Sequence, residues 1–244
     1  MSEVAILMAA GLGSRMRPIT ESIPKPLVRV HGKPMIETMI EGLQRRGIRE
    51  YYIVVGYLRE QFEYLTTKYA GIHLVENKEY MKKNNISSIH AVCDIMRIHD
   101  VFICESDVYV ADPTIFDHVP EHSCYYGKMV QGFSDDWVFD ISNDRITRVG
   151  KGGTDCYNMV GVAYMKQQDA KVIADAVTEA YQYPGHEQLY WDEIVDGRLE
   201  TICLGIKPVK GSQLVEIDTV EELKAMDASY KDMKTGEGKW MLKD

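Results

Sequence analysis

The chain contains no apolar run long enough to form a membrane-spanning helix, and it carries no excess of basic residues. Among its 244 residues, 37 are Asp or Glu and 28 are Lys or Arg, so the formal net charge is -9. A bilayer-spanning helix needs about 20 apolar residues, and a nucleic-acid backbone needs a broad basic surface. We therefore expect neither a membrane nor a nucleic acid as the main partner. A small anion held by a few local cations or by a metal is compatible with this charge.

Cysteine is present, but its pattern does not indicate a disulfide framework or a zinc site. The cysteines are odd in number, widely spaced and without a C-x-x-C pair: Cys93, Cys104, Cys124, Cys156 and Cys203. Free thiols are typical of a reducing compartment, and no signal-peptide pattern precedes the first strand-like segment. We therefore expect a cytoplasmic protein.

Strand-like and helix-like segments alternate over the first 110 residues. Short apolar runs occur in "EVAILMA", "YYIVVGY", "IHLVEN" and "VFICESD". Three helical segments lie between them: one over residues 34–46, a second in "EQFEYLTTKYAG" and a third in "SSIHAVCDIMRI". This alternation predicts an α/β fold: a Rossmann-like, mostly parallel mixed sheet flanked by helices. In such open sheets, ligands bind beyond the carboxyl ends of the strands.

The second half of the chain has a different rhythm. After about residue 120, four strand-like segments follow one another with turn residues between them: "SCYYGKMV", "DWVFDIS", "DRITRVG" and "YNMVGVAYM". This pattern predicts a smaller mixed β/α part. Helical patterns then cover residues 168–182 and 187–196, and a final strand, "LVEID", leads into a final helix.

Glycine and positive charge are concentrated directly after the first strand, in "LMAAGLGSRMRPITESIPKPL" (residues 7–27). "GLGSRM" approaches the dinucleotide fingerprint G-x-G-x-x-G, but Met16 stands where a small residue is needed. Prolines at 18, 24 and 26 also prevent a helix from following directly. A dinucleotide-binding dehydrogenase is therefore disfavoured. A phosphate-cradling loop is the main hypothesis, and a tight turn with solvated basic side chains is the alternative.

Two linked motifs, "LMAAGLGSRMRP" and "PKPLVRVHGKPMIE", resemble the signature of a nucleotidyltransferase family. Its members make activated sugars and alcohols from a nucleoside triphosphate and a phosphorylated acceptor. The resemblance implies a nucleotide-diphospho-sugar transferase fold of the GT-A-like type. It also implies a set of nucleotide-binding residues in the first motif: Ala9, Ala10, Gly11, Gly13, Ser14 and Arg15.

The residue types of the loop suit this chemistry. Gly11 and Gly13 let the backbone approach the triphosphate and direct N–H groups at it. Arg15 offers a planar charged fork for phosphate oxygens, and Lys25 offers a point charge where the attacking and attacked phosphates meet. We predict Arg15 and Lys25 as catalytic residues, with solvated loop charges as the alternative.

Two buried strand-like segments end in a carboxylate. Asp107 ends "VFICESD" and Asp218 ends "LVEID", and both are candidate ligands of a Mg²⁺ ion that also touches phosphate oxygens. The alternative for Asp218 is the N-cap of the last helix. Glu105 shares a strand face with Asp107 and is a candidate of second rank.

Aromatic residues stand beside acids in the second half, in "SDDWVFD" and "LYWDEI". Such a pocket attracts a quaternary ammonium group, whereas the alternative is that these rings pack in the core. Most of the chain resembles bacterial CTP:phosphocholine cytidylyltransferases of the LicC type. That resemblance implies CTP and phosphocholine as substrates and an acceptor site formed by Asp136, Trp137, Tyr190, Trp191 and Asp192. It also implies further nucleotide-binding residues: Gly56, Tyr57, Asn84, Asn85 and Ser88.

The predicted reaction is in-line attack of the acceptor phosphate on the α-phosphate of CTP, which releases CDP-choline and pyrophosphate. The alternatives are, in order, 2-aminoethylphosphonate as acceptor, a sugar 1-phosphate as acceptor, and a nucleotide sensor without activity. We predict one domain over residues 1–230, with a nucleotide-binding half (1–110) and an acceptor-binding half (111–230). A polar tail (231–244) follows.

Overall fold

The computed structural model describes residues 2–232, and all but the first two residues of the predicted polar tail lie outside this range. Eleven strands are described: β1 (Glu3–Ala9), β2 (Arg29–Val30), β3 (Lys33–Pro34), β4 (Tyr51–Val55), β5 (Ile72–Glu76), β6 (Asp100–Glu105), β7 (Val108–Val110), β8 (Cys124–Ser142), β9 (Arg145–Met165), β10 (Gly205–Pro208) and β11 (Leu214–Glu216). The α-helices are α1 (Met35–Arg46), α2 (Glu63–Lys68), α3 (Ile86–His90), α4 (Cys93–Met96), α5 (Gln167–Ala180), α6 (Trp191–Asp196) and α7 (Val220–Met226). Among the described residues, no helix combines the length and the apolarity needed to cross a bilayer.

A seven-stranded mixed sheet forms the centre of the molecule, in the order β10-β8-β9-β6-β1-β4-β5. Strands β6, β1, β4 and β5 run parallel to one another, and β9 joins them antiparallel to β6. The predicted α/β class with a mostly parallel first half is confirmed. The sheet includes strands from both parts of the chain, and the division into two functional halves stays a prediction.

Both faces of the sheet are covered, as the apolar run of β1 predicts. Alternate residues of β1 point to opposite sides: Ala5 and Leu7 pack in one core with α1 and α2, whereas Val4 and Ile6 pack in the other with α3 to α6. A strand buried on both faces needs apolar residues at every position. The predicted helix at 34–46 forms as α1, and Gly47 ends it at φ 98°.

The middle of the chain differs most from expectation. The sequence predicts four strands between residues 123 and 165, but the structure has two long ones, β8 and β9. Gly132 and Gly152, at φ 79° and 78°, lie inside these strands near register shifts and do not end them. Bulges bend and twist a long strand without ending it. Gly132 and Gly152 resemble turn signals in the sequence, but in the structure they lie where the two strands bend.

The expected third helix is also interrupted. It forms as α3 and α4, separated at Val92, whose φ of -123° leaves the helical region. The segment "SSIHAVCDIM" consists mostly of residues with modest helix propensity, so periodicity alone overstates the length of the helix.

The carboxyl ends of the parallel strands lie at one edge of the sheet. Pairing aligns Ala9 with Val55, Val55 with Glu76, and Met8 with Glu105. A third, smaller core joins the segment after β1 to α7 and includes Met16, which is fully buried. This core packs the glycine-rich segment against α7.

Candidate active site

A cleft opens at the edge where the parallel strands end. It comprises a space of about 450 Å³ and an adjoining space of about 240 Å³. Both spaces are lined by Gly11, Arg15, Asp107 and Asp218, so the glycine-rich motif and the two predicted carboxylates meet here. Ala9, Gly13, Ser14 and Lys25 line the smaller space, and Ala10 lines the larger one.

The glycine-rich segment after β1 is shaped by close packing against the second motif. Gly13 has a φ of 59°, and a Cβ there would lie 2.8 Å from the Cβ of Lys25. The hydroxyl of Thr20 donates a hydrogen bond to the carbonyl of Gly13 (2.8 Å). Gly11 has no atom within 4 Å of the position its Cβ would take. Gly13 is therefore required by the fold of the loop, whereas Gly11 leaves room at the cleft.

Lys25 lies between the two predicted carboxylates. Its Nζ is 2.7 Å from Asp107 Oδ2 and 2.5 Å from Asp218 Oδ1. Arg15 Nη1 lies 2.8 Å from Asp218 Oδ2. Burial alone would lower the pKa of Lys25, but its contacts with Asp107 and Asp218 outweigh burial and raise that pKa. The cations predicted for phosphate and the carboxylates predicted for a metal thus form one charge cluster.

Glu216 joins this cluster, although we did not predict it from the sequence. Carboxylate oxygens of Asp107, Glu216 and Asp218 all lie within 4.8 Å of one another. Burial, reinforced by the charges of Asp107 and Asp218, raises the pKa of Glu216 to about 8. Glu216 precedes Asp218 by two positions, as Glu105 precedes Asp107, and the two-residue period of strands is the signal that would have identified it.

Glu105 lines the larger space at the end of β6. Burial and the neighbouring carboxylates, Asp107 first, raise the pKa of Glu105 well above its usual range. Three hard oxygen ligands at short mutual distance are a donor set that Mg²⁺ accepts when substrate phosphates and water complete its shell. The residues present therefore fit such an ion, with Glu105 behind them.

The N-cap of α7 is Thr219, which forms a capping box with Glu222. The alternative function of Asp218 as a helix cap is thus performed by its neighbour. The side chain of Asp218 instead faces Lys25 and Arg15.

Asn84, Asn85 and Ser88 line the larger space, and the structure assigns their side chains several internal partners. Asn84 Nδ2 donates to the carbonyl of Gln188 (3.2 Å), and Asn85 Oδ1 accepts from the backbone N–H of Trp191 (2.9 Å). The two asparagines thus tie the segment before α3 to the segment before α6. Ser88 Oγ accepts from the buried amide of Asn77 (3.2 Å).

Gly56 and Tyr57 lie behind the cleft rather than in its lining. A Cβ on Gly56 would come within 2.7 Å of the Tyr80 ring and 2.9 Å of the Ala10 carbonyl, so this glycine allows Tyr80 to pack. The Tyr57 hydroxyl donates to the carbonyl of Thr20 (2.8 Å). Both residues support the walls of the cleft.

The predicted aromatic residues separate into two groups. The rings of Trp137 and Tyr190 meet edge to face, with centroids 5.4 Å apart, and both line the larger space with Asp136. Trp191 is only 3% exposed and stacks on Tyr125 in the core. Trp191 therefore packs in the core, which is the alternative given above for these aromatic residues.

Asp192 lines the larger space but is almost fully buried. Tyr125 donates a hydrogen bond to its Oδ1 (2.9 Å). Burial raises the pKa of Asp192 to about 7, in spite of this hydrogen bond.

Asp135, from the acidic segment before Trp137, also lines the larger space. Further lining residues were not singled out from the sequence: Tyr80, Lys83, Ser87, Lys151, Met159 and Gly161. Lys151 lies opposite Trp137 in the pairing of β8 with β9. No local pattern marks it, because its position depends on the register of two bulged strands.

Known proteins resemble this chain at the level of a family model, of full-length sequences and of a solved structure. The model of the MobA-like NTP transferase domain matches residues 5–136. A 2-aminoethylphosphonate cytidylyltransferase from Lancefieldella rimae is 48% identical over 227 residues, which cover 93% of this chain and 92% of that protein. A choline-phosphate cytidylyltransferase from Streptococcus pneumoniae is 31% identical over 228 residues, which cover 93% and 98%.

The solved structure of CTP:phosphocholine cytidylyltransferase from Streptococcus pneumoniae matches this fold with a TM-score of 0.86. The identity is 30%, and the match covers 94% of this chain and 99% of that one. The predicted family resemblance, fold class and enzyme class, a nucleotidyltransferase, are thereby confirmed.

Proposed function

The chain belongs to the MobA-like NTP transferase family, and from this premise we propose that it transfers CMP from CTP to 2-aminoethylphosphonate. A phosphonate oxygen attacks the α-phosphorus of CTP and forms a new P–O bond. The bond between the α-phosphorus and the bridging oxygen breaks, and pyrophosphate leaves. Positioning and charge neutralisation suffice for this chemistry, which agrees with a cleft built from cations, carboxylates and backbone.

The observation that carries the choice of acceptor is the 48% identity with a 2-aminoethylphosphonate cytidylyltransferase along nearly the full length of both chains. The choline-phosphate enzyme of similar length is 31% identical. Phosphocholine, the acceptor that the sequence favours, is therefore less well supported than the first alternative. Both relatives are named as cytidylyltransferases, so the choice of a cytidine nucleotide does not depend on this distinction.

The chemistry of the cleft supports a primary amine. A primary ammonium has three N–H donors and needs oxygen acceptors, whereas a trimethylammonium has none and relies on aromatic faces. Asp135 and Asp136 directly precede Trp137 in the chain and line the larger space with it. These carboxylates can accept hydrogen bonds from a primary ammonium.

We assign Gly11, Gly13 and Arg15 to the triphosphate, and Lys25 to the point where the two reacting phosphorus groups meet. Lys25 and Arg15 are held by carboxylates at 2.5 to 2.8 Å, so they are already ordered at the cleft. An ordered cation near the developing charge requires little reorganisation during the reaction.

We assign Asp107 and Asp218, joined by Glu216, to the binding of Mg²⁺. When bound there, Mg²⁺ would supply Lewis-acid stabilisation of phosphate charge. These three residues would hold the ion, and Lys25 offsets part of the negative charge of Asp107 and Asp218.

The remaining cleft residues divide between nucleotide and acceptor. Asn84, Asn85 and Ser88, on the side of α3, are assigned to the nucleoside. Asp136, Trp137, Tyr190 and Asp192, on the side of β8 and α6, are assigned to the acceptor. Gly56, Tyr57 and Trp191 support these walls from behind.

Pyrophosphate release separates the hypotheses. The chain is incubated with CTP and Mg²⁺ and with 2-aminoethylphosphonate, phosphocholine or glucose 1-phosphate, and kcat/KM is measured for each acceptor. We expect 2-aminoethylphosphonate to give the highest value. Higher efficiency with phosphocholine would contradict the choice of acceptor, and binding of CTP without release from any acceptor would indicate a sensor.

A further inference from the structure

The ammonium group of Lys151 lies against the aromatic pair of the acceptor side. Its Nζ is 5.9 Å from the centroid of the Trp137 ring and 5.6 Å from that of Tyr190. All three side chains line the larger space of the cleft. Cations within about 6 Å of a ring centroid are attracted by the negative face of the ring. Lys151 therefore makes a cation–π contact with each of the two rings.

The position of Lys151 follows from the pairing of the two long strands. Lys151 is the register partner of Trp137, next to the register shift between Ser134 and Trp137. Within residues 2–232, Lys151 has no carboxylate at salt-bridge distance, and the two rings are its cation–π partners. Lys151 therefore forms no salt bridge within the described residues, and its ammonium group faces the cleft.

We propose that Lys151 is a specificity-determining residue that excludes quaternary ammonium acceptors. The proposal rests on the proposed function, in which the acceptor carries a primary amine. A trimethylammonium group can bind only where aromatic faces are free, and here the face of the pair is shared with a like charge. A primary ammonium carries the same charge, but it binds to carboxylates rather than to ring faces, and Asp135 and Asp136 lie in the same cleft.

This inference differs from a simpler one, in which Lys151 is a ligand for the phosphonate or for a phosphate of CTP. A phosphate ligand contributes to every acceptor, so its loss lowers the use of all acceptors together. A lysine that occupies the aromatic faces acts only against acceptors that need those faces, so its loss changes the ratio between acceptors. An element that blocks the wrong ligand is a known means of rejecting a near-cognate one.

The test compares Lys151→Met with the wild type. At saturating CTP, kcat/KM is measured for phosphocholine and for 2-aminoethylphosphonate. We expect the ratio of phosphocholine to 2-aminoethylphosphonate to rise by roughly 10- to 100-fold, mainly through a lower KM for phosphocholine. Lys151→Arg keeps the charge and should keep the wild-type ratio.

Lys128→Met is the matched control, because Lys128 also belongs to the β8–β9 pair but does not line the cleft. It removes the same charge and should leave the ratio unchanged. An unchanged ratio in Lys151→Met, or a rise of equal size in Lys128→Met, would overturn the proposal. A proportional fall with both acceptors in Lys151→Met would identify Lys151 as a phosphate ligand instead.

A second measurement does not depend on turnover. Tetramethylammonium carries the quaternary group alone, and its binding beside Trp137 can be followed by tryptophan fluorescence. We expect saturable quenching in Lys151→Met that is at least about tenfold tighter than in the wild type and is lost in Lys151→Met/Trp137→Phe. Equal quenching in the wild type and Lys151→Met would contradict exclusion by charge.

Failure of the proposed function gives a different result. If the wild type itself used phosphocholine more efficiently than 2-aminoethylphosphonate, the choice of acceptor would be wrong. The response of the ratio and of tetramethylammonium binding to Lys151→Met would still decide whether this residue opposes quaternary groups.

Discussion

Lys25 is the residue on which the charges of the cleft depend. Its side chain is 9% exposed and lies between the carboxylates of Asp107 and Asp218. With Glu216 close by, three acids and one buried cation share a small volume. Like charges so close repel each other strongly at the dielectric constant of a protein surface, so removal of the cation affects both the reaction and the fold.

Lys25→Met should lower kcat by about 10²- to 10³-fold, the usual result of removing one preorganised charge from a transition state. It should also lower the free energy of unfolding by roughly 1–3 kcal/mol, because Asp107 and Asp218 lose a buried partner. Pyrophosphate release and chemical denaturation measure the two effects. Retained turnover would exclude Lys25 from the phosphate site.

Asp107 is one of the three residues assigned to Mg²⁺. Chelation with EDTA should abolish pyrophosphate release, and added Mg²⁺ should restore it. Asp107→Asn should require at least about tenfold more Mg²⁺ for half-maximal activity, because an amide is a weaker ligand than a carboxylate. Asp117→Asn, which changes an exposed acid paired with Arg45, is the control; a Mg²⁺ titration of Asp107→Asn that matches this control would exclude Asp107 as a ligand.

At the scale of elements, the cleft is formed by the carboxyl ends of the parallel strands and by the loop that follows β1. The loop contains three short 3-10 turns (Ser14–Met16, Ile19–Glu21 and Lys25–Leu27) and no α-helix before α1. Met16, which argues against a dinucleotide fold at the level of sequence, is buried in the third core. The loop therefore has its own apolar anchor, which holds the glycines close to the cleft.

The two glycines of this loop should respond differently to alanine. Gly13→Ala introduces a Cβ at φ 59° and 2.8 Å from Lys25 Cβ, so it should lower both the melting temperature and activity, by roughly 1–3 kcal/mol in stability. Gly11→Ala has open space and should keep the wild-type melting temperature while raising KM for CTP by about tenfold or more. Thermal unfolding and initial rates distinguish the variants; an unchanged KM for CTP in Gly11→Ala would contradict close approach of the triphosphate at this position.

At the scale of the whole molecule, the two sides of the cleft are held together by contacts between distant segments. Asn84 and Asn85 bind the segment that precedes α6, and α6 in turn carries Asp192 against Tyr125 of β8. Asp192 is therefore a link between α6 and the central sheet. The protonation state of Asp192 is therefore expected to affect the free energy of unfolding of the whole molecule.

Stability should fall as pH rises because of Asp192. Burial raises the pKa of this carboxyl from its usual value near 4 to about 7 in the folded state, so the folded chain binds a proton more tightly than the unfolded one. The free energy of unfolding should decrease between about pH 4 and pH 7, and the full difference corresponds to roughly 4 kcal/mol. Asp192→Asn keeps an acceptor for Tyr125 but cannot ionise, so it should lose less stability over this range.

Urea denaturation at a series of pH values, without divalent cations, measures this effect. Glu105 and Glu216 also have raised pKa values, so the informative quantity is the difference between the wild type and Asp192→Asn. Parallel curves for the two proteins would show that Asp192 ionises freely in the folded state.

Much of the fold and part of the site could be predicted from local patterns. The double motif and the acids that end two strands identify Gly11, Arg15, Lys25, Asp107 and Asp218, and all of them line the cleft. Helix α1 and the parallel strands follow from periodicity. The lengths of β8 and β9 could not be predicted, because the same glycines can end a strand or bend it.

The sequence by itself determined the family, the fold class and the chemistry of the phosphate loop. These depend on short-range requirements: a positive φ at Gly13, apolar runs for strands buried on both faces, and charged residues at fixed spacing. Tertiary structure alone decided that Lys25 contacts Asp218, 193 positions later. It also decided that Glu216 joins the acidic cluster and that Lys151 lies within 6 Å of the ring centroids of Trp137 and Tyr190. These contacts depend on strand register and on packing between distant segments, and no local pattern specifies either of them.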